Sequence, residues 1–276
     1  MTTTVRRPAG GVQLVVSDLD GTLWELDHEL HAHTTAALPE LERRGIPLLV
    51  ATGRRVARAA APLAAFGLAP PAVCLNGALG LDLATGVRFH RATIAADVAV
   101  EVLAAFRAEG VQPCVYVDRD DVSVYVGDSP STHPEHLASF GADVATDDLA
   151  RVVAEEAVLG FSVLGSPQPA LVGVHAALAT VAVAHLAPER ALEGFTLTVA
   201  GPGMSKWEGV LAYCRTTGID PGAVLAIGDG PNDLELLTGA AIGIAMADAD
   251  PLLVAAADHV VGPAVTGGWA ELLDLL

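Results

Sequence analysis

Short, continuously apolar runs alternate with helix-period segments at both ends of this chain. That alternation restricts the fold more than any other feature. Val12–Ser17 is a β-branched run that leads into a glycine-containing turn. Thr34 or Thr35 can cap a helix running to Arg44, with Gly45 as its stop. Ile46–Ala51 reads as the next strand, Arg54–Phe66 as the next helix and Pro71–Leu75 as a third strand. From Lys206 onward the pattern returns. A helix runs through Cys214, followed by a strand at Ala223–Ile227, a helix at Leu234–Leu237 and a strand at Ile242–Ala245. A helix near Leu252–Ala257, a strand at His259–Val261 and a terminal helix complete it. Apolar strands joined by helices imply a parallel sheet covered on both faces.

The middle of the chain breaks this rhythm. Val87–His90, Pro113–Asp118 and Val122–Val126 read as short strands, the last two as a hairpin. Ala95–Glu109 and Pro169–Leu186 read as helices. The expectation is therefore a discontinuous α/β core, Rossmann-like, over residues 1–83 and 201–276, interrupted by an α+β insert over 84–200. The apolar stretch Ala170–Leu186 would span about 25 Å as a helix, short of a bilayer core of about 30 Å, and reads as a buried helix. Arg6 and Arg7 precede an apolar run too short for a signal-peptide core.

Charge narrows the function. The chain of 276 residues carries 33 acidic against 15 basic residues, a formal net charge of −18. Such a chain repels phosphate backbones and anionic lipid, so nucleic acid and membrane are poor partners. The insert alone holds fifteen acidic against six basic residues, about half of the imbalance. Fourteen of the fifteen basic residues are arginine, and the only lysine is Lys206. Cys74, Cys114 and Cys214 are widely spaced, which suits reduced buried thiols of a cytoplasmic protein and neither a disulfide framework nor a zinc site. Oligomeric state leaves no signal in the sequence.

Four strand ends carry chemistry. The first is Ser17-Asp18-Leu19-Asp20-Gly21-Thr22, with two carboxylates spaced to lie on one side of an extended chain. One can be a nucleophile while the other works as acid and then base. Gly21 permits a tight turn, and its amide can face an anion. The second is Ala51-Thr52-Gly53-Arg54, where the Thr52 hydroxyl and Gly53 amide can hold a phosphate oxygen, or simply cap a helix. The third is Lys206, whose ammonium can balance several carboxylates. The fourth is Gly228-Asp229-Gly230-Pro231-Asn232-Asp233, a set of hard oxygen donors suited to Mg²⁺. Arg54 can reach substrate, but Arg54, Arg55 and Arg58 also read as a solvated helix face. His28, His31 and His33 read as a solvated loop.

In this order the four sites resemble the haloacid dehalogenase (HAD) superfamily, over the whole chain. The long insert, the ATGR and GDGPND segments and the run Cys74-Leu75-Asn76-Gly77-Ala78 resemble the Cof-like phosphatases with a type IIB (C2) cap. The resemblance implies that Asp18 forms an aspartyl-phosphate and that Asp20 protonates the leaving alcohol and then activates water. It implies that Thr52 and Gly53 bind the phosphoryl group and that Lys206 positions Asp18. Mg²⁺ would be held by Asp18, the Asp20 main-chain carbonyl and Asp229, with Asp233 supporting the shell. Asn232 would contact phosphate, and Asn76 would lie near the hinge to the insert as a substrate or hinge contact. An acidic residue at position 20 favours phosphatase or phosphomutase chemistry over dehalogenase or phosphonatase chemistry. The expected activity is hydrolysis of a small phosphorylated metabolite, a sugar phosphate or related phosphomonoester, enclosed by the cap before reaction. A phosphotransferase, or a non-catalytic ligand-binding protein on the same fold, are the alternatives. In relatives glycine usually follows the motif lysine; here Trp207 does.

Overall fold

A computed structural model describes residues 10–25, 28–189 and 192–276. Arg6 and Arg7 lie outside the described residues. The chain divides into two compact units, one of residues 1–91 with 205–276 and one of residues 92–204.

The first unit begins with β1 (Leu14–Ser17), α1 (Ala32–Arg43), β2 (Leu48–Ala51), α2 (Val56–Ala65), β3 (Pro71–Cys74), β4 (Leu79–Asp82) and β5 (Arg88–Arg91). The second comprises α3 (Ala96–Ala108), β6 (Cys114–Val117), β7 (Val124–Val126), α4 (Pro134–Ala138), β8 (Val144–Thr146), α5 (Leu149–Glu155), β9 (Val158–Ser166), α6 (Gln168–Ala177), β10 (Val183–Pro188) and β11 (Phe195–Ala200). The chain then completes the first unit with α7 (Lys206–Thr217), β12 (Val224–Gly228), α8 (Leu234–Gly239), β13 (Ile242–Met246), α9 (Pro251–Ala256) and β14 (His259–Val261).

In the first unit, eight strands run in the order β14-β13-β12-β1-β2-β3-β4-β5. The six from β14 to β3 are parallel, and β4 and β5 add antiparallel at one edge. Alternate residues of the central strands feed two cores. Val15, Val50 and Leu225 pack beneath α1 and α2, whereas Val16, Leu49 and Ala226 pack beneath α7, α8 and α9. The order reverses at β1, between β12 and β2, which creates a crevice at the carboxyl ends of the strands. Asp18, Thr52 and Asp229 each follow one of these three strands.

The second unit is α+β, as expected for the insert. Its sheet runs β10-β11-β9-β6-β7-β8 and is antiparallel except for the β7–β8 pair. Phe106, Phe161, Leu171 and Leu197 belong to one buried cluster between sheet and helices.

Several expectations change. Ala170–Leu186 is not one helix: α6 ends at Ala177, and β10 follows as a sheet-edge strand paired with β11. Ala184 and Leu186 face the buried cluster with period two, so the segment is half-buried strand. The sequence reading also missed β4, β8, β9 and β11. Arg88–Arg91 pairs with β4 at the core edge instead of opening the insert, so the second unit begins at Ala92. The terminal helix is 3₁₀ over Gly268–Leu275. The cap of α1 is His31, whose Nδ1 accepts from the His33 amide, and Thr34 is buried inside the helix. Among the described residues, no helix is long and apolar enough to cross a membrane.

Helix α7 approaches β3 through Gly209. A Cβ there would collide with Val73 Cγ1 and sit 3.3 Å from the Gly77 carbonyl oxygen. Alanine elsewhere in a helix gains up to about 1 kcal/mol over glycine. Here the collision reverses the sign, and Gly209→Ala should destabilise by about 1–3 kcal/mol in a denaturant titration. A neutral or stabilising result would show that α7 can shift freely on the sheet. Trp207 points elsewhere, filling the place above Gly239 at the end of α8. The glycine usual after the lysine is therefore not what permits close approach in this chain.

Candidate active site

Asp18 leaves β1 with its amide donating to the Ile227 carbonyl at 3.0 Å, so its position is tied to two central strands. Lys206 is the first residue of α7, and Ser205 caps that helix. Its Nζ donates to Asp18 Oδ1 at 2.6 Å and to Asp233 Oδ1 at 2.8 Å. Lys206 is 1% exposed and Asp233 fully buried. Burial acts to lower the ammonium, but the charges and hydrogen bonds of Asp18 and Asp233 outweigh it and hold Lys206 above its usual range. Burial pushes the Asp18 carboxyl well above the ordinary carboxylate range; Lys206 opposes this, and Asp233, Asp229 and Asp20 add to it.

The other oxygen of Asp233 accepts the amides of Asp229 at 3.2 Å and Gly230 at 3.0 Å. Both Asp233 oxygens thus hold the loop and the lysine together. Asp229 Oδ1 accepts the Thr22 hydroxyl at 3.0 Å. Thr22 was part of the first motif, but nothing in its spacing announced this contact across 207 residues of chain. Asp18, Asp229 and Asp233 each offer a carboxylate oxygen within 4.8 Å of the others. Three buried carboxylates face one buried ammonium, a formal excess of two negative charges. Hard oxygen donors with that excess fit a divalent cation.

Thr52 is buried, and its hydroxyl accepts the Arg54 amide at 3.1 Å, a local turn at the entry to α2. Gly53 lies against Asn76: a Cβ at Gly53 would be 3.0 Å from Asn76 Oδ1. The same Asn76 oxygen accepts Asn232 Nδ2 at 2.8 Å. Leu75 and Asn76 both adopt left-handed backbone, with φ of 52° and 53°. Consecutive non-glycine residues in that region cost of order 1–3 kcal/mol each, a strain that clusters at functional sites. The Gly21 amide does not face an open site; it donates to the Trp24 carbonyl at 2.8 Å.

Asp20 and Arg54 form a separate group. Arg54 Nε donates to Asp20 Oδ2 at 2.5 Å, and its Nη2 reaches Asp20 Oδ1. Trp24 Nε1 donates to the same carboxylate at 3.2 Å. Arg54 is not part of a solvated helix face, and His28 meets it at 2.6 Å instead of lying in a solvated loop. Sequence reasoning missed Trp24 and Trp269. The Trp269 indole donates at 2.9 Å to Ser17, whose hydroxyl donates to the Asp18 carbonyl. A lone tryptophan near the terminus carried no signal of that link.

All ten candidate residues therefore lie in the first unit. Four make the lysine–carboxylate cluster, three the Gly53–Asn76–Asn232 group, and two the Asp20–Arg54 pair, with Thr52 at the turn between. A family model of haloacid dehalogenase-like hydrolases matches residues 15–273. The chain belongs to that family. As a member of its Cof-like branch it is a phosphoric monoester hydrolase by class. It is 27% identical over 264 residues to a phosphoglycolate phosphatase of Methanopyrus kandleri, covering 95% of this chain and 96% of the relative. It is 25% identical over 278 residues to the pyridoxal phosphate phosphatase YbhA of Escherichia coli, covering 95% and 97%. The HAD subclass IIB sugar phosphatase BT4131 shares the fold, with a TM-score of 0.75 at 24% identity, covering 95% of this chain and 98% of that one.

Proposed function

We propose that this HAD-family phosphatase hydrolyses a small phosphomonoester through an aspartyl-phosphate on Asp18, with Mg²⁺ as cofactor. The observation that carries the reading is the buried contact between Lys206 Nζ and Asp18 Oδ1 at the end of β1. One Asp18 oxygen is held by the lysine, which orients the carboxylate for in-line attack by the other.

In the first step the Asp18 carboxylate attacks phosphorus and the bond to the substrate oxygen breaks. Asp20 gives its proton to that leaving oxygen. In the second step Asp20 takes a proton from water, the water oxygen attacks phosphorus, and the bond to Asp18 breaks to release inorganic phosphate. Thr52, the Gly53 amide and Asn232 hold the phosphoryl oxygens. Asp18, the Asp20 main-chain carbonyl and Asp229 would hold Mg²⁺, with Asp233 supporting through Lys206 and the loop amides. When bound, the cation neutralises charge that develops on the phosphoryl group.

The relatives act on small phosphorylated metabolites by name, and the charge of −18 disfavours polyanions. A sugar phosphate or related phosphomonoester is the substrate class. Buried, unpaired Cys74, Cys114 and Cys214 suit a reducing, cytoplasmic setting. The test is phosphate release, with and without Mg²⁺, from a panel containing phosphoglycolate, pyridoxal phosphate and hexose phosphates. Metal-dependent release from one of these is expected. Transfer to added glycerol in preference to water would make the protein a phosphotransferase, and no release from any would overturn the reading.

Metal binding has a readout apart from turnover. Mg²⁺ at a hundred times its Kd should stabilise the protein by about 2.7 kcal/mol, raising the melting temperature by several degrees. Asp229→Asn should remove most of that rise. An unchanged rise would place the cation elsewhere.

A further inference from the structure

We infer that Arg54 is a positioning residue for Asp20: its guanidinium fork sets the orientation of the carboxyl group that protonates the leaving group and does not bind the phosphoryl group. This inference rests on the phosphatase reading and adds to it a residue that governs which leaving groups are expelled.

Four of the five N–H groups of Arg54 are engaged within its own neighbourhood. Nε and Nη2 take the two oxygens of Asp20. Nη2 also meets His28 Nε2 at 2.6 Å, and because arginine only donates, that histidine nitrogen is the acceptor. Nη1 donates to the Arg58 carbonyl at 2.9 Å. That last acceptor exists for a reason written in the chain. Residue 62 of α2 is proline, which has no N–H to offer the carbonyl four residues earlier. The Arg58 carbonyl is left for a side chain, and Arg54 takes it.

The guanidinium is further placed by Trp24, whose ring centroid is 5.8 Å from Cζ. The same Trp24 donates its indole N–H to Asp20. Asp20 is therefore gripped from two sides, by a fork on α2's entry turn and by an indole of its own turn. Arg54 and Asp20 are 17% and 28% exposed, so neither is a freely rotating surface group. An arginine whose fork is spent on a carboxylate, a helix carbonyl and an imidazole is poorly placed to chelate a phosphoryl group. Lysine could not reproduce the two-point grip.

Leaving-group dependence separates the two roles. The value of kcat/KM reports steps up to the departure of the leaving group. An alkyl alcohol needs a proton to depart, whereas 4-nitrophenolate needs little help. Arg54→Met, Arg54→Lys and wild type would be compared on phosphoglycolate and 4-nitrophenyl phosphate, with inhibition by inorganic phosphate measured in parallel. Arg54→Met should lose about tenfold or more in kcat/KM on phosphoglycolate and less than about threefold on the aryl ester. Its KM and its inhibition by phosphate should stay within about twofold, and Arg54→Lys should recover part of the alkyl rate. Equal losses on both esters with weaker phosphate inhibition would assign Arg54 to phosphate binding and overturn the inference. So would unchanged kinetics. Should Arg54→Met not fold, Arg54→Lys and Trp24→Phe carry the measurement, each expected to show the same split to a smaller degree. If another alkyl phosphomonoester of the panel is the one turned over, it takes the place of phosphoglycolate in the comparison; wild-type protein that hydrolyses no ester of the panel would instead overturn the phosphatase reading, and the inference with it.

Discussion

Asp18→Asn is expected to abolish phosphate release, by about a thousandfold or more, while the metal-free protein becomes more stable at neutral and alkaline pH. The kinetic half follows from the loss of the attacking carboxylate, since members of a nucleophilic unit cannot replace one another. Asparagine keeps an oxygen to accept Lys206 Nζ, so geometry is preserved while nucleophilicity is lost. The stability half follows from the direction of the Asp18 shift. Its folded-state pKa is raised by burial, so the folded protein holds the proton over a range where the unfolded chain has released it. The contribution of the protonated group is fully present below the unfolded value of 3.8 and is lost as pH rises through the folded value. Asparagine does not titrate. Metal-free Asp18→Asn should therefore melt above wild type at pH 8, and the gap should close towards pH 4. Saturating Mg²⁺ should invert the order, because wild type gains the cation and the variant binds it weakly. Scanning calorimetry across pH, with and without a chelator, checks both parts. A variant that retained a tenth of wild-type turnover would put the nucleophile elsewhere.

The parallel core was legible because its strands are buried on both faces and appear as uninterrupted apolar runs. Three strand ends were legible because Asp, Thr and Gly at a strand terminus depart from what a core needs, and Lys206, which opens α7 instead of ending a strand, stood out as the only lysine. The second unit was harder. Its strands alternate between a buried and an opposite face, and β10, written Val183–Pro188 after the apolar α6, carries the same small apolar residues as the helix before it. Only pairing with β11 decides its state, and pairing partners are not encoded locally. The site shows the same division. Asp18, Lys206, Asp229 and Asp233 could be named from type and position, and the structure brings them together. Arg54 could be named but not assigned, since an arginine at a helix entry suits either a substrate contact or a solvated face, and only the fold brings Asp20 to its fork. The Thr22–Asp229 and Trp269–Ser17 contacts join residues more than 200 positions apart, with ordinary side chains at both ends. No pattern along the chain can announce them.

Lys206→Met is expected to cost the metal-free protein about 3–5 kcal/mol, the usual penalty for removing one partner of a buried ion pair. Methionine fills the stem's volume, so little of that loss is cavity. It arises because the buried carboxyl groups of Asp18 and Asp233 lose the ammonium that donates to both, with no water at hand to replace it. Adding Asp18→Asn to Lys206→Met should therefore restore part of the stability, a coupling that a double-mutant cycle reads directly. Lys206→Arg poses the sharper question, because it keeps the charge. In a chain that otherwise uses arginine for all its basic residues, lysine at the one fully buried cationic position among the described residues implies that the ammonium's shape matters. A compact Nζ sits 2.6 Å and 2.8 Å from two carboxylates at once. A planar fork is larger, directs its N–H groups in one plane, and would have to displace Asp18 or the Asp229–Asp233 loop to fit. Overpacking of this kind costs about 1–3 kcal/mol. Displacing Asp18 from its line of attack should reduce kcat by about a hundredfold, with KM far less affected. Arginine with wild-type stability and turnover would show that the pocket needs only a positive charge, and would remove the orienting role assigned to Lys206 while leaving Asp18 as nucleophile.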